Sequence, residues 1–249
     1  MQSYGRLCTQ YYDLDKPKPP PDALAFYQKQ VQSANGPTLE PMCGSGRFLI
    51  PLMRAGFKVI GVDSSHPMLS ACRMKAHALG LNPTLYQQYL HEMDVPGKYC
   101  LAMIPSGSFG LITDESEARK SLRRIHRHLC PGGRFVLELD RLLEEPATHQ
   151  DPSESTITRP DGSQIKMIAS GQFDPVVRVY HGINRYERFK QGQSVEQEVE
   201  HFDLCYYEPC SMTCLLEESG FKVLDIHTAF NPSIPVKESK SFVLIARRL

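Results

Sequence analysis

The sequence predicts an α/β protein built on a doubly wound, mainly parallel sheet into which a second, antiparallel β-sheet is inserted. Three observations carry this. Between residues 38 and 140 short apolar runs alternate with helical patterns, as in a parallel sheet covered on both faces. From about 155 to 207 the text changes to long alternating strands broken at Asp161-Gly162 and Gln191-Gly192, which read as antiparallel hairpins. One helix and two strands then follow, compatible with an antiparallel pair that returns to the first sheet.

Taken in order, a tyrosine-rich N-terminal arm precedes KPKPPPD (16–22), a run that cannot form a helix interior because proline has no amide donor. ALAFYQKQVQS after it reads as a helix. Thr38 to Glu40 ends a short strand, and Arg47 to Ala55 is a helix with Phe48, Leu49, Leu52 and Met53 apolar. Lys58 to Val62 is the second strand. A helix begins near Pro67, a favourable first-turn residue, and runs toward Leu79. TLYQQ (84–88) and YCLAMI (99–104) are the next strands. Asp114 is placed to N-cap ESEARKSLRRIHRHL, which Cys130-Pro131-Gly132-Gly133 closes before the strand RFVLELD. The hairpin segments are TITRP, QIKMIAS, VVRVYHGINRYERF and VEQEVEHFDLCYY. MTCLLEESG, FKVLDIH, the loop TAFNPSIPVKES and SFVLIARRL end the chain. The organisation expected is an N-terminal arm and helix (1–34), a core (35–140), inserted hairpins (141–207) and a C-terminal helix and strands completing the core (208–249).

A chain of 249 residues can bury a sizeable core as one large domain or one domain with an insertion. Lys plus Arg and Asp plus Glu are both 28, so nothing in the net charge calls for nucleic acid. The eight cysteines, at 8, 43, 72, 100, 130, 205, 210 and 214, read as reduced and mostly buried thiols of a cytoplasmic protein. Cys205, Cys210 and Cys214 match no standard zinc spacing, so core packing and no metal are expected. MQSYGRLCTQYYDLDKP has no apolar signal core, and no apolar run is long enough to cross a bilayer.

The chemistry concentrates in LEPMCGSGRFLIPLMRAGFKVIGVD (39–63). In an open parallel sheet, ligands bind beyond the carboxyl ends of the strands. Gly44 and Gly46 lie in the first such turn, where a missing Cβ lets backbone amides approach a ligand. Asp63 ends the second strand, 17 residues after Gly46, where a carboxylate accepts from a ribose diol. The third glycine of a dinucleotide fingerprint is missing, and no Lys-Ser/Thr follows in phosphate-loop spacing. Glu40 would repel a pyrophosphate and attract an ammonium. The cofactor offering an ammonium, a sulfonium and a ribose diol is S-adenosyl-L-methionine.

LEPMCGSGRFLIPLMRAGFKVIGVDSSHPMLSACR, LHEMDVPGKYCLAMIPSGSF and LRRIHRHLCPGGRFVLELD together resemble the motifs of class I S-adenosylmethionine-dependent methyltransferases; YYDLDKP and the hairpins are similar to bacterial small-molecule members. The resemblance covers roughly residues 10–140 and implies a Rossmann-like, seven-stranded sheet. It implies that Glu40, Cys43, Gly44 and Gly46 surround the methionyl part. Asp63 would bind the ribose, with Ser64 and Met68 beside ribose and adenine. Gln88, Tyr89 and Leu90 would line the adenine, and Ile104, Pro105 and Ser106 would face the amino-acid moiety and methyl group. Met42 stands at the family's first motif glycine: tolerable if φ stays negative there, strained or weakening otherwise. Tyr89 stands where many members carry an adenine-binding aspartate.

Bland readings stand beside these. Asp63 is a helix cap unless Ser64 or Ser65 caps instead. Tyr11 and Tyr12 are either a lid, with Tyr12 against the cofactor, or packing for the arm. His126 and His128 fall on different helix faces and read as structural, and His91 as a surface residue. Tyr180, Arg185, Tyr186, His201 and Tyr206 lie on the hairpins, half of whose residues face away from any site. The insertion is a lid, a substrate wall or the surface of a homodimer. The function expected is methyl transfer to a small-molecule acceptor, with no nucleic acid or membrane partner and no nominated catalytic base. The alternatives are a regulatory protein that binds S-adenosylmethionine or S-adenosylhomocysteine without turnover and, third, a nucleotide-dependent oxidoreductase.

Overall fold

The structure is a computed structural model that describes residues 4–146, 148–228, 230 and 235–249. Five strands run parallel: β1 (Thr38–Pro41), β2 (Val59–Asp63), β3 (Thr84–Gln87), β4 (Tyr99–Ile104) and β5 (Leu129–Asp140). β10 (Phe221–Thr228) and β11 (Ser241–Arg248) add antiparallel, giving one seven-stranded sheet in the order β10-β11-β5-β4-β1-β2-β3. The order reverses between β1 and β4, so their carboxyl ends splay around a crevice. Of the loop between β10 and β11, residues 229 and 231–234 lie outside the described residues, as do 1–3 of the arm.

Helices cover both faces because adjacent strand residues point to opposite sides. On one face α2 (Pro21–Ala34), α3 (Leu49–Arg54) and α4 (His66–His77) bury Tyr27, Val31, Leu49, Leu52, Leu69 and Cys72 against Leu101, Met103 and Val136. On the other, α5 (Glu115–His128) and α6 (Pro209–Glu218) bury Leu122, Ile125, Met212 and Leu216 against Ala102, Ile104, Phe135 and Leu137. Asp114 caps α5 as expected, accepting from the Glu117 amide at 2.8 Å. His128 is buried, with Nε2 3.1 Å from the Val95 amide and Nδ1 2.7 Å from the Arg124 carbonyl, so its contacts are structural.

The insertion is a four-stranded antiparallel sheet, β6 (His149–Thr158), β7 (Gln164–Asp174), β8 (Val179–Lys190) and β9 (Gln193–Cys205), in sequential order. Gln191 and Gly192, both at positive φ (51° and 78°), form its tightest turn, as the two-residue connection requires.

One element carried no expectation of its own, and two expectations are corrected. The tyrosine-rich arm is helical, as α1 (Arg6–Asp15), and is capped from a distance: Glu198 of β9 accepts from the Leu7 and Cys8 amides at 3.0 and 2.9 Å. The cysteines are free, but only Cys8, Cys43 and Cys72 are buried. Cys210 and Cys214, one helical turn apart, are exposed on the outer face of α6, away from Met212, Leu215 and Leu216. Nor does Met42 keep a negative φ; it stands at 58°. No helix among the described residues is long and apolar enough to cross a membrane.

Candidate active site

The turn after β1 is left-handed at every second residue: Met42 at φ 58°, Gly44 at 52° and Gly46 at 83°. The first of these positions thus demands the conformation glycine adopts freely, and Met42 bears a cost of about 1–2 kcal/mol for it. The amides of Cys43 and Gly46 close the turn onto the Val62 and Cys43 carbonyls at 3.1 and 3.0 Å.

Asp63 locks that turn from β2. Its two carboxylate oxygens accept from the Gly44 and Ser65 amides at 2.7 and 2.8 Å. Ser65, not Asp63, caps α4, accepting from the Met68 amide at 3.2 Å. Burial raises the Asp63 carboxyl, and backbone donors at Ser65, Gly44 and Ser64 pull it back toward the charged form.

Glu40 is 2% exposed, and its Oε2 has no hydrogen-bond partner among the described residues. Burial, with Asp63 nearby, pushes its carboxyl well above the usual range. A buried, unpartnered carboxylate is costly alone and is satisfied by a cation.

These groups open into a cavity of about 820 Å³ at the carboxyl ends of β1, β2 and β4. Twelve of the fourteen residues singled out above line it: Tyr12, Glu40, Cys43, Gly44, Asp63, Ser64, Met68, Gln88, Tyr89, Leu90, Pro105 and Ser106. Gly46 and Ile104 lie elsewhere. A Cβ on Gly46 would come within 2.5 Å of the Cys72 sulfur, so this glycine packs the turn onto α4. Ile104 is fully buried beneath the sheet. Gln88 lines the cavity, but its amide is engaged with the Asp94 backbone at 2.8 and 3.1 Å, pinning the loop that carries Tyr89. Tyr89 stacks on His91, with ring centroids 5.7 Å apart, leaving an aromatic plate at the cavity edge.

The rest of the lining comes from the end of the turn, the arm and the insertion. Arg47 enters from the end of the turn, its Nε donating to the Lys18 carbonyl at 3.0 Å. Tyr4 and Tyr12 close one side edge to face, 6.2 Å apart, while Tyr11 packs 5.6 Å from Tyr186 in the insertion. The arm therefore supplies one wall tyrosine and one packing tyrosine from adjacent positions. The lining is completed by Leu111 to Asp114, Glu117 and, from β9, His201, Phe202 and Asp203. His181 and Asp203 pair at 2.7 Å. Of the hairpin candidates, His201 reaches the cavity; Tyr180 packs on Phe202, Tyr206 on Phe173, and Arg185 is exposed. No group of three or more metal-ligating side chains exists among the described residues.

Comparison with known proteins agrees with this architecture. A family model described as a methyltransferase domain matches residues 39–133, the stretch from β1 through the start of β5. A putative methyltransferase of Geobacillus sp. (strain WCH70) is 26% identical over 244 residues, covering 96% of this chain and 97% of that protein. The CcbJ methyltransferase from Streptomyces caelestis superposes with a TM-score of 0.78 at 23% identity, over 99% of this chain and 98% of that one. The S-adenosylmethionine-bound CalS10, an amino pentose methyltransferase from Micromonospora echinaspora, gives 0.71 at 16% identity over 100% and 99%. At these identities the two structures speak for the fold, insertion included.

Proposed function

We propose that the chain is a class I S-adenosylmethionine-dependent methyltransferase that methylates an amine nitrogen of a small polar molecule, such as an amino sugar. One observation carries the choice of acceptor. Among the described residues, and apart from Glu40 and Asp63, whose carboxyls burial raises, the cavity is lined by four acidic side chains, Glu92, Asp114, Glu117 and Asp203, against one guanidinium, Arg47, in a chain of zero formal charge. Such a field concentrates cations and repels phosphates, which also argues against a nucleic-acid substrate.

When bound, the cofactor supplies an electrophilic methyl group on a sulfonium. The unsatisfied Glu40 oxygen fits an ammonium, so Glu40 would hold the amino group and Arg47 the carboxylate of the methionyl part. Asp63, fixed by two amides, would accept from the ribose hydroxyls, and the Tyr89–His91 plate would carry the adenine. Ser64, Met68 and Leu90 would complete the nucleoside side, and Pro105 and Ser106 the methyl side. Gly46 acts through packing rather than contact. At about 820 Å³ the cavity is in the upper part of the usual small-molecule range of roughly 300–1,000 Å³, leaving room for an acceptor beside the cofactor.

Asp114, Glu117 and Asp203 would draw a protonated amine into the cavity. The Glu117 amide holds the Asp114 carboxyl below its usual range, so this charge persists into mild acid. The attacking nitrogen must be neutral, so kcat rises with pH until the bound amine is deprotonated. The protein's task is in-line alignment and exclusion of water.

The test is calorimetry followed by a radiolabelled methyl-transfer screen. Binding of S-adenosylmethionine with label passing to small amines is expected; label passing only to hydroxyl acceptors would overturn the amine assignment, and tight binding with no transfer at all would restore the regulatory reading. The free state of all eight cysteines supports a reducing, cytoplasmic setting. Val195 and Val199, exposed on β9, support pairing of two copies through the insertion; a monomer mass by light scattering would rule that out.

A further inference from the structure

We infer that Glu138, with Asp140 beside it, is a positioning residue that fixes the loop after β4 in its binding shape, an assignment that rests on reading the cavity as an S-adenosylmethionine site. Ser106 and Gly107 in that loop are both left-handed, at φ 59° and 66°. For Ser106 this conformation is unfavourable and persists only if its surroundings impose it. The imposing contact is specific. Ser106 N–H donates to Glu138 Oε2 at 2.7 Å, and the Tyr27 hydroxyl donates to the same oxygen at 3.1 Å. Gly107 sits over the next carboxylate of the strand: a Cβ there would stand 2.4 Å from Asp140 Oδ2.

Glu138 and Asp140 are two apart on β5 and therefore share a face. Lower on that face Val136 is an ordinary core residue, while Leu137 and Leu139 enter the opposite core. A carboxylate that is only 8% exposed has no packing reason to follow Val136. Its visible work is to hold a loop whose Pro105 and Ser106 line the cavity.

The groups around Glu138 set its titration. Burial pushes its carboxyl up to about 7; the Ser106 amide, the Tyr27 hydroxyl of α2 and Arg47 of the turn after β1 pull it down, and Asp140 pushes it up. His227 of β10 is separated from Glu138 by Val243 of β11 in the sheet register and packs on Phe26. Hydrogen bonds to an ionised acceptor are roughly twice as strong as to a neutral one, so the loop is held more firmly above this pKa than below it.

The test is calorimetric titration of S-adenosylhomocysteine into the wild type, Glu138→Gln and Tyr27→Phe from about pH 5.5 to about pH 8.5, a window centred on the titration of a carboxyl raised this far. Glutamine keeps an acceptor oxygen and cannot ionise. The wild type should bind about tenfold more tightly than Glu138→Gln at the alkaline end, with the ratio closing to about one at the acid end. Tyr27→Phe removes a donor that favours the carboxylate, so the midpoint of this closure should move to higher pH. A ratio constant across the range, or a midpoint unmoved in Tyr27→Phe, overturns the assignment while leaving the cofactor reading intact. A wild type that binds at no pH overturns the cofactor reading, and this inference with it.

Discussion

At Met42 the backbone turns to φ 58° with a long side chain attached, where a glycine would be free to do so. The price is tolerable because Met42 is unbranched at Cβ and packs its side chain on the apolar cluster beneath. Met42→Val would place a β-branch in the left-handed region and should destabilise the fold by about 1–2 kcal/mol in urea unfolding; an unchanged midpoint would show that the turn relaxes. Asp63→Ala should weaken S-adenosylhomocysteine binding by about 1.5–3 kcal/mol through loss of charge-assisted bonds, and unchanged affinity in the folded variant would remove Asp63 from the site. Residues near the glycine turn were legible because spacing along one βαβ unit fixes their neighbours. Arg47 was adjacent to the motif yet not legible as a lining residue, since a side chain's direction out of a turn is not a spacing property. Glu138, Glu117, His201 and Asp203 meet the site only through tertiary packing.

Among the elements, α1 best shows how far local sequence reaches. Gly5 offers no side-chain cap, and the first-turn amides are satisfied by Glu198, contributed from β9 of the insertion. Nothing within ten residues of the arm announces that partner, which is why the helix was not legible. The same clasp includes contacts from Tyr4 N to Glu200 and from Arg6 to Glu196, while Asp13 ties the other end to Lys75 and Ser45 at 2.6 and 2.5 Å. Because Tyr4 and Tyr12 line the cavity, the insertion helps to shape the site through α1. Glu198→Ala should cost about 0.5–2 kcal/mol of cap energy and speed hydrogen exchange at the Leu7 and Cys8 amides. Gly5→Ala should do the same by pushing on that carboxylate, which a Cβ would approach to 2.5 Å. Unaltered exchange in both variants would refute the clasp. By contrast, α5 was legible almost to the residue, because Asp114 and its apolar stripe are local signals.

For the molecule as a whole, the alternation of runs announced the parallel sheet and the change of rhythm announced the insertion; strand order followed only from packing. The assembled site also makes the protein's pH responses oppose one another. Burial raises the carboxyls of Glu40, Asp63 and Glu138. The ligand-free folded state therefore holds protons that the unfolded chain releases. That stability is fully present below the ordinary carboxyl values and is lost as pH rises through the raised ones, about 7 for Glu138. On the proposed reading cofactor binding runs the other way, since the ionised carboxylates would receive its ammonium and ribose. Ligand-free thermal stability should thus fall as pH rises from 4.5 to about 7 while the gain from S-adenosylhomocysteine grows. Parallel trends would contradict the assignment of these carboxylates.

The most direct measurement is a crystal structure with S-adenosylhomocysteine bound. The ligand's ammonium should complete the empty hydrogen-bonding position of Glu40 Oε2, with the ribose hydroxyls on Asp63. A ligand bound away from the turn of Met42, Gly44 and Gly46, with Glu40 still unpartnered, would contradict the account.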